Sequence, residues 1–475
     1  MWASVGKVRL VQSAEKQNFI ENPASSRGSD GFEKVRAFLA LTLVYLTYSR
    51  LPEFLPIPGL ALISAVGGFV LVFLSGNLEQ AVKSRVGMGL IALTVVICLG
   101  IPFSVWPGGA FHSLRNDWLK QVLIYYILVG GVITNRECKK AVYMIAFATA
   151  TIIGLTFRHG TVGDDGRLVL GLGTLGNANY LAMYLVIGAP FCFYALRNAN
   201  VVLKLFWLVI LVYIAKDVLA TGSRAALLGG AAGAIYVFAK STMFQRALAL
   251  ASVLVLALAV TAFVPGKVLE RYNSIFSSSE GAPQNAAEGS KEARLEILKR
   301  SLIATATHPI LGVGLGQFGV ENMGMTSDLG SKADFHSTHN MYTQVSSELG
   351  IPAFILYVSL LVFSFRSIGK VVRQTRNDPT AADTYALAYT VRVACVVFFV
   401  TGVFANVAFS IPLLTMLGLT EIIRRAVLTP PSAELVGQLG IPAIRKSPGQ
   451  VGLRPQRQPD LRKGPPIFRS KQSAT

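Results

Sequence analysis

Apolar runs of about 17–25 residues recur along this chain, and that recurrence limits its fold more than any other feature. A helix of that length crosses a hydrocarbon layer of roughly 30 Å while satisfying its backbone N–H and C=O groups internally. About twelve such runs can be read: 37–51, 54–75, 86–103, 119–133, 141–157, 168–196 (the span proper near 180–196), 202–220, 225–240, 246–264, 350–365, 384–406 and 407–422. The first and fourth are short, and only a weak break near Asn406 divides the last pair. The expected fold is therefore an all-α integral membrane protein of about twelve transmembrane helices, ten at the least. Composition agrees, since 52% hydrophobic and 15% charged residues fall outside the soluble class.

Orientation follows from the basic residues, which concentrate on the cytoplasmic side of membrane proteins. With the N-terminus inside, the inner loops carry Lys83 and Arg85, Arg136, Lys139 and Lys140, Arg197 and Lys204, Lys240 and Arg246, then Arg366, Lys370, Arg373 and Arg376. The net charge of +19 thus reads as a topology signal and calls for no nucleic acid. Both termini are expected in the cytoplasm. The chain divides into a cytoplasmic leader (1–36), nine spans (37–264), one large outward-facing and partly helical loop (265–349), three spans (350–422) and a basic tail (423–475) too poor in apolar residues to fold. No signal peptide is legible in the leader, so the first span serves as the targeting signal. The four cysteines lie in or beside apolar runs, which leaves no disulfide framework for the loop.

The loop is where chemistry is expected. Anchoring a chain in lipid needs no long polar segment, yet this one holds His308, His336 and His339, three of the five histidines. Ser290 is expected to cap a helix over 291–307, with Leu295, Leu298, Leu302 and Ala306 as its apolar face and Arg294 off that stripe. His308-Pro309 ends it. The glycines at 312, 314 and 316 suit a tight backbone path better than a nucleotide site. His336-Ser-Thr-His339 should open another helix, broken at Gly350-Ile-Pro352 where the next span begins.

Two kinds of side chain there can act on an anionic substrate. Arg224, Arg294 and Arg167 fall on the outer side, against the basic bias, and the guanidinium fork matches phosphate oxygens. Pairing with Asp164, Asp165 or Glu292 would give them a structural role instead. His339 could serve as a general base, because an unperturbed imidazole, with a pKa of about 6.5, takes a proton around neutral pH. A metal held by His336, His339 and Asp334 is the weaker alternative, because the fuller spacing of a zinc motif is missing.

These segments resemble the O-antigen ligase and polymerase superfamily of bacterial envelope glycosyltransferases. The likeness covers roughly residues 95–422. It is best in TGSRAALLG around Arg224 and in the stretch from Arg294 through HPILGVGLGQF to HNMYTQVSSELGIP. IPFSVWPGGAF (101–111) and RLVLGLGTLGNANYLA (167–182) add to it. Ala225, Ala178 and Ala353 stand where the family often has Gly, Pro and Gly. The resemblance implies a metal-independent, cofactor-free and inverting transferase in the bacterial inner membrane. It would move O-antigen or exopolysaccharide units from a polyprenyl-diphosphate carrier to an acceptor hydroxyl, on lipid A–core, another glycan or a protein. By the same resemblance Arg224, Arg294 and His339 would be catalytic, and Arg167, Asn340 and Glu348 would contact the glycan or orient His339. A multi-span glycan transporter or flippase is the rival, and it predicts ionisable residues at mid-span and internal symmetry. The spans read as nearly free of such residues, and the large loop has no counterpart in the first half.

Overall fold

Among the described residues the protein is built mainly of helices, most of them joined by short turns. The structure, a computed structural model, describes residues 27–55, 59–163, 166–171, 173–243, 246, 286–328 and 337–428. In chain order the helices are α1 (Arg27–Ser49), α2 (Leu60–Leu74), α3 (Asn77–Val82), α4 (Arg85–Gly100), α5 (Pro107–Ser113), α6 (Leu119–Gly131), α7 (Asn135–His159), α8 (Ala178–Arg197), α9 (Val201–Ala220) and α10 (Arg224–Lys240). Then come α11 (Ala286–Thr307), α12 (Phe318–Asp328), α13 (Met341–Thr375), α14 (Ala382–Gly402) and α15 (Ile411–Leu428). The expected ninth span (246–264), the acidic pair Asp164 and Asp165, Asp334, His336 and most of both terminal segments lie outside the described residues.

Among the described residues, five helical segments are long and apolar enough to cross a membrane: Arg85–Phe103, Asn135–His159, Ala178–Arg197, Met341–Thr375 and Pro379–Gly402. The structure therefore supports an all-α membrane protein and gives fewer clear spans than the twelve expected. The others fall short for visible reasons. The α2, α6 and α10 helices have only 15, 13 and 17 residues. Charged residues interrupt α1 (Glu33, Lys34, Arg36), α9 (Lys204, Lys216, Asp217) and α15 (Glu421, Arg424, Arg425).

Several boundaries differ from the sequence reading. Helix α1 starts at Arg27, well inside the expected leader, because Arg36 has a partner at the far end of α6. Its Nε donates to the Gly131 carbonyl at 3.4 Å, and Arg36 also pairs with Glu33. Arg425 donates to the Val129 carbonyl nearby. Two guanidinium groups thus satisfy carbonyls that the end of α6 leaves open, where a helix also favours positive charge. Of the expected sixth segment (168–196), the helix covers the span proper near 180–196. Residues 160–162 and 168–170 form a two-stranded antiparallel hairpin, Thr161 opposite Val169, and α8 starts only at Ala178.

Helix α11 begins at Ala286, so Ser290 lies inside it and is no cap. Its buried residues are Ile297, Ser301 and Ala304, whereas Leu295 and Leu302 are exposed. The expected stripe was one face too far round. Arg294, three residues before Ile297, consequently lies in line with the face turned toward the protein.

The expected spans also hold ionisable residues that the sequence reading does not name, among them Asp217 and Arg392. Asp217 is buried in α9. Arg392, near the middle of α14, lies against the Phe365 and Tyr236 rings, 4.9 and 5.6 Å from their centroids. Aromatic faces attract a cation and lower the cost of its depth.

Candidate functional site

One sequence, Gly350-Ile-Pro352, organises the site. Pro352 has no N–H, so the Glu348 carbonyl four residues earlier has no helical partner. Gly350, at φ 82° and ψ 174°, turns the chain out of the helix and also separates the Ser347 carbonyl from the Ile351 N–H. The glycine-rich loop takes up these open groups. Val313 N–H donates to the Ser347 carbonyl and Gly314 N–H to the Glu348 carbonyl, both at 2.9 Å, and Ile351 N–H donates to the Pro309 carbonyl at 2.8 Å. Gly312, Gly314 and Gly316 all have positive φ. A Cβ on Gly312 would lie 2.4 Å from the Glu348 carbonyl oxygen. The glycines therefore serve a tight backbone path, as their spacing suggested.

Glu348 completes this joint. Its side chain is buried, and Oε2 accepts the Gly316 N–H at 2.8 Å. Replacing Glu348 by Ala should cost about 1–3 kcal/mol, because the buried Gly316 N–H loses its acceptor, read as a lower thermal midpoint of the detergent-purified protein. An unchanged midpoint with transfer abolished would instead put this carboxylate on the substrate.

The segment 101–113 forms the loop's other wall. Val105 N–H and Ser104 Oγ both donate to the Val313 carbonyl, at 3.1 and 3.0 Å. A Cβ on Gly314 would meet Ser104 Oγ at 2.1 Å. Two of the motifs singled out in the sequence, more than two hundred residues apart, are thus one hydrogen-bonded unit. Helix α11 joins it through the contact of Thr305 Oγ1 with Ser346 Oγ at 2.9 Å.

His339 does not open a helix. Asn340 is the cap of α13, its Oδ1 accepting the Tyr342 and Thr343 N–H groups at 2.8 and 3.3 Å. His339 precedes it at φ 51°, one of two non-glycine residues with positive φ among the described residues. A left-handed histidine is held by its surroundings at a cost of order 1–3 kcal/mol. The neighbouring Thr338 is buried, its Oγ1 donating to the Asn340 carbonyl at 3.2 Å and to Asn406 Oδ1 at 3.4 Å.

Asn406 links this half of the site to the other. Its carbonyl accepts the Tyr180 hydroxyl at 3.0 Å. One residue away, Asn179 Oδ1 accepts Arg167 Nη2 at 2.7 Å, and Arg167 Nε donates to the Thr221 carbonyl at 2.6 Å. Thr221 belongs to the three-residue turn between α9 and α10, where Ser223 caps the helix that Arg224 begins. Arg224 therefore stands at a helix N-terminus, where backbone N–H groups and the helix dipole favour an anion. Chained bonds run from this turn through Arg167, Asn179–Tyr180 and Asn406 to Thr338, the neighbour of His339.

The sequence-derived residues thus sort by what they touch. Arg167 commits two guanidinium nitrogens to the protein and fixes the turn before Arg224. Asn340 is a helix cap, and Glu348 holds the glycine loop. Arg224 and His339 lie at the two ends of the bonded series. Arg294 is on the inward face of the helix that packs beside α13. Thr338, Tyr180 and Asn406 were not singled out as site residues. Only the break at 406 hinted at the last, because single polar residues near span ends carry no motif.

Together these features define a mostly helical protein with membrane-length apolar helices and a set of bonded polar joints around the glycine loop, Glu348, Arg167 and Asn406. A family profile described as O-Antigen ligase matches residues 208–358, a stretch that includes Arg224, Arg294, the glycine loop, His339 and Glu348. Over that stretch the chain is similar to the O-antigen ligase family, which supports the resemblance to the O-antigen ligase and polymerase superfamily. No curated protein matches it.

Proposed function

We propose that the protein transfers a glycan from a polyprenyl-diphosphate carrier to an acceptor hydroxyl at the outer surface of the bacterial inner membrane, in the manner of an O-antigen ligase. The observation that carries this reading is the bonded series joining the turn of Arg224 to the segment of His339. It ties an anion-favouring helix start to a group able to take a proton. In the reaction the bond from the anomeric carbon to the diphosphate oxygen breaks as the acceptor oxygen forms its own bond to that carbon. The acceptor's proton goes to His339, and the diphosphate leaves on its carrier. Attack opposite the leaving group inverts the anomeric centre. Arg224 and Arg294 hold the diphosphate and stabilise the charge that grows on it. The donor is already activated, so no nucleotide is consumed.

The lipid tail needs an apolar path beside this site. A groove of about 230 Å³ lined by Tyr342, Val358, Leu361, Val362, Phe365, Arg366 and Phe399 begins three residues after His339 and descends along α13 and α14. It has the lining and the position for such a tail.

Arg224→Lys is the sharpest test of the phosphate grip. A lysine keeps the charge and loses the planar fork, so transfer in proteoliposomes should fall by roughly 10²-fold, as for loss of one preorganised donor. Wild-type rates in both Arg224→Lys and Arg224→Ala would end the assignment.

A further inference from the structure

Trp106 is half exposed, at 57%, and yet it is firmly seated. Its ring lies over the first turn of α5. A Cβ on Gly109 would stand 2.5 Å from Trp106 Cε3 and 2.7 Å from Cδ2, and one on Gly108 would stand 3.4 Å from Nε1. Only a backbone without side chains at 108 and 109 lets the indole approach so closely. The Trp106 N–H donates to Ser104 Oγ at 3.2 Å, and Val105 beside it is bonded to the glycine loop. The same hollow holds Gln317, which is buried, with its Oε1 2.7 Å from the Gly109 Cβ position and lacking a hydrogen-bond partner among the described residues. An indole that merely anchored the chain in lipid would be backed by apolar side chains. This one lies close against the glycine backbone of Gly108 and Gly109, with the Gln317 amide at the same glycine.

We propose that Trp106 is a platform on which a pyranose ring stacks, the ring belonging either to the carrier-linked glycan or to a glycan acceptor. The electron-rich face of an indole attracts the positive C–H edge groups that one side of a pyranose presents. The location suits this role. Val313, bonded to the Trp106 segment, is bonded in turn to Ser347, six residues past Met341 in the helix that follows His339, or about 9 Å of helix. Sugars beyond the reacting one would run along that wall. The inference rests on the glycan-transfer reading and adds a residue that selects glycan length.

The experiment uses the full chain in nanodiscs with three probes: polyprenyl diphosphate bearing a hexose tetrasaccharide, the same carrier bearing one hexose, and the bare carrier. Trp106→Ala should raise KM for the tetrasaccharide donor by about tenfold and leave kcat and the single-hexose donor unchanged. Trp106→Phe should keep most of the affinity. If the stacked ring belongs to the acceptor, the rise appears in the KM of a glycan acceptor and not of the donor. Equal changes for long and short donors with no change for the acceptor, or no change at all, would overturn the proposal and leave Trp106 as a membrane anchor. A second readout does not need turnover. The tetrasaccharide carrier should alter the intrinsic fluorescence of the wild type more than the bare carrier does, and Trp106→Phe should remove that difference. Should the wild type transfer nothing, the fluorescence comparison still decides on Trp106, while the transfer reading fails separately.

Discussion

His339→Gly should abolish glycan transfer while leaving the protein as stable as the wild type or about 1 kcal/mol more stable. The two effects separate because His339 sits at φ 51°, where glycine is at ease and an L side chain is strained. Removing the imidazole takes away the general base, worth roughly 10²- to 10⁴-fold in rate. Removing the Cβ relieves the backbone. His339→Ala should lose the same activity without the gain in stability, and His339→Asn, whose residue type tolerates this conformation, should fold well and remain inactive. The measurements are initial transfer rates in proteoliposomes and thermal midpoints in one detergent. Wild-type transfer by the glycine variant would remove His339 from the mechanism. A glycine variant much less stable than wild type would show the imidazole to be a structural group.

The second large effect is expected at Gly350. An alanine there would place its Cβ 2.4 Å from the Ile310 carbonyl oxygen and 2.5 Å from the carbonyl carbon, and φ 82° with ψ 174° is open to glycine almost alone. Backbone atoms cannot swing aside as a long side chain can. The substitution should cost about 3 kcal/mol or more and release the glycine loop from the start of the following span. Gly154→Ala is the control, since no atom lies within 4 Å of a Cβ on Gly154, and it should be neutral or slightly stabilising. Comparable melting of the two variants would mean that the Gly350 joint does not hold the loop.

Both predictions depend on features that were only partly readable in one dimension. The break at Gly350-Ile-Pro352 is legible because proline must leave a carbonyl open and glycine must absorb a turn. Which N–H groups would fill the vacancy is not, since Val313 and Gly314 lie some 35 residues away and nothing in their types names a partner. Arg224 and His339 stood out by residue type against an apolar background. Arg167 stood out as well, and the structure adds its bonds to Thr221 and Asn179, which fix the turn before Arg224. The face of α11 was misread because leucines dominate its sequence pattern. Burial there follows the smaller Ser301 and Ala304, which let the helix approach its neighbours, and a membrane protein can leave leucines facing lipid.

By itself the sequence determined that the chain is helical and lives in a membrane, because apolar runs of such length have no other stable solution. It also marked where charge and an imidazole break that pattern. The tertiary structure alone decided which polar groups meet. Hydrogen-bond partners are chosen by the packing of distant helices, and the Asn406–Thr338 and Tyr180–Asn406 contacts exist only once α8, α13 and the turn after α14 have come together.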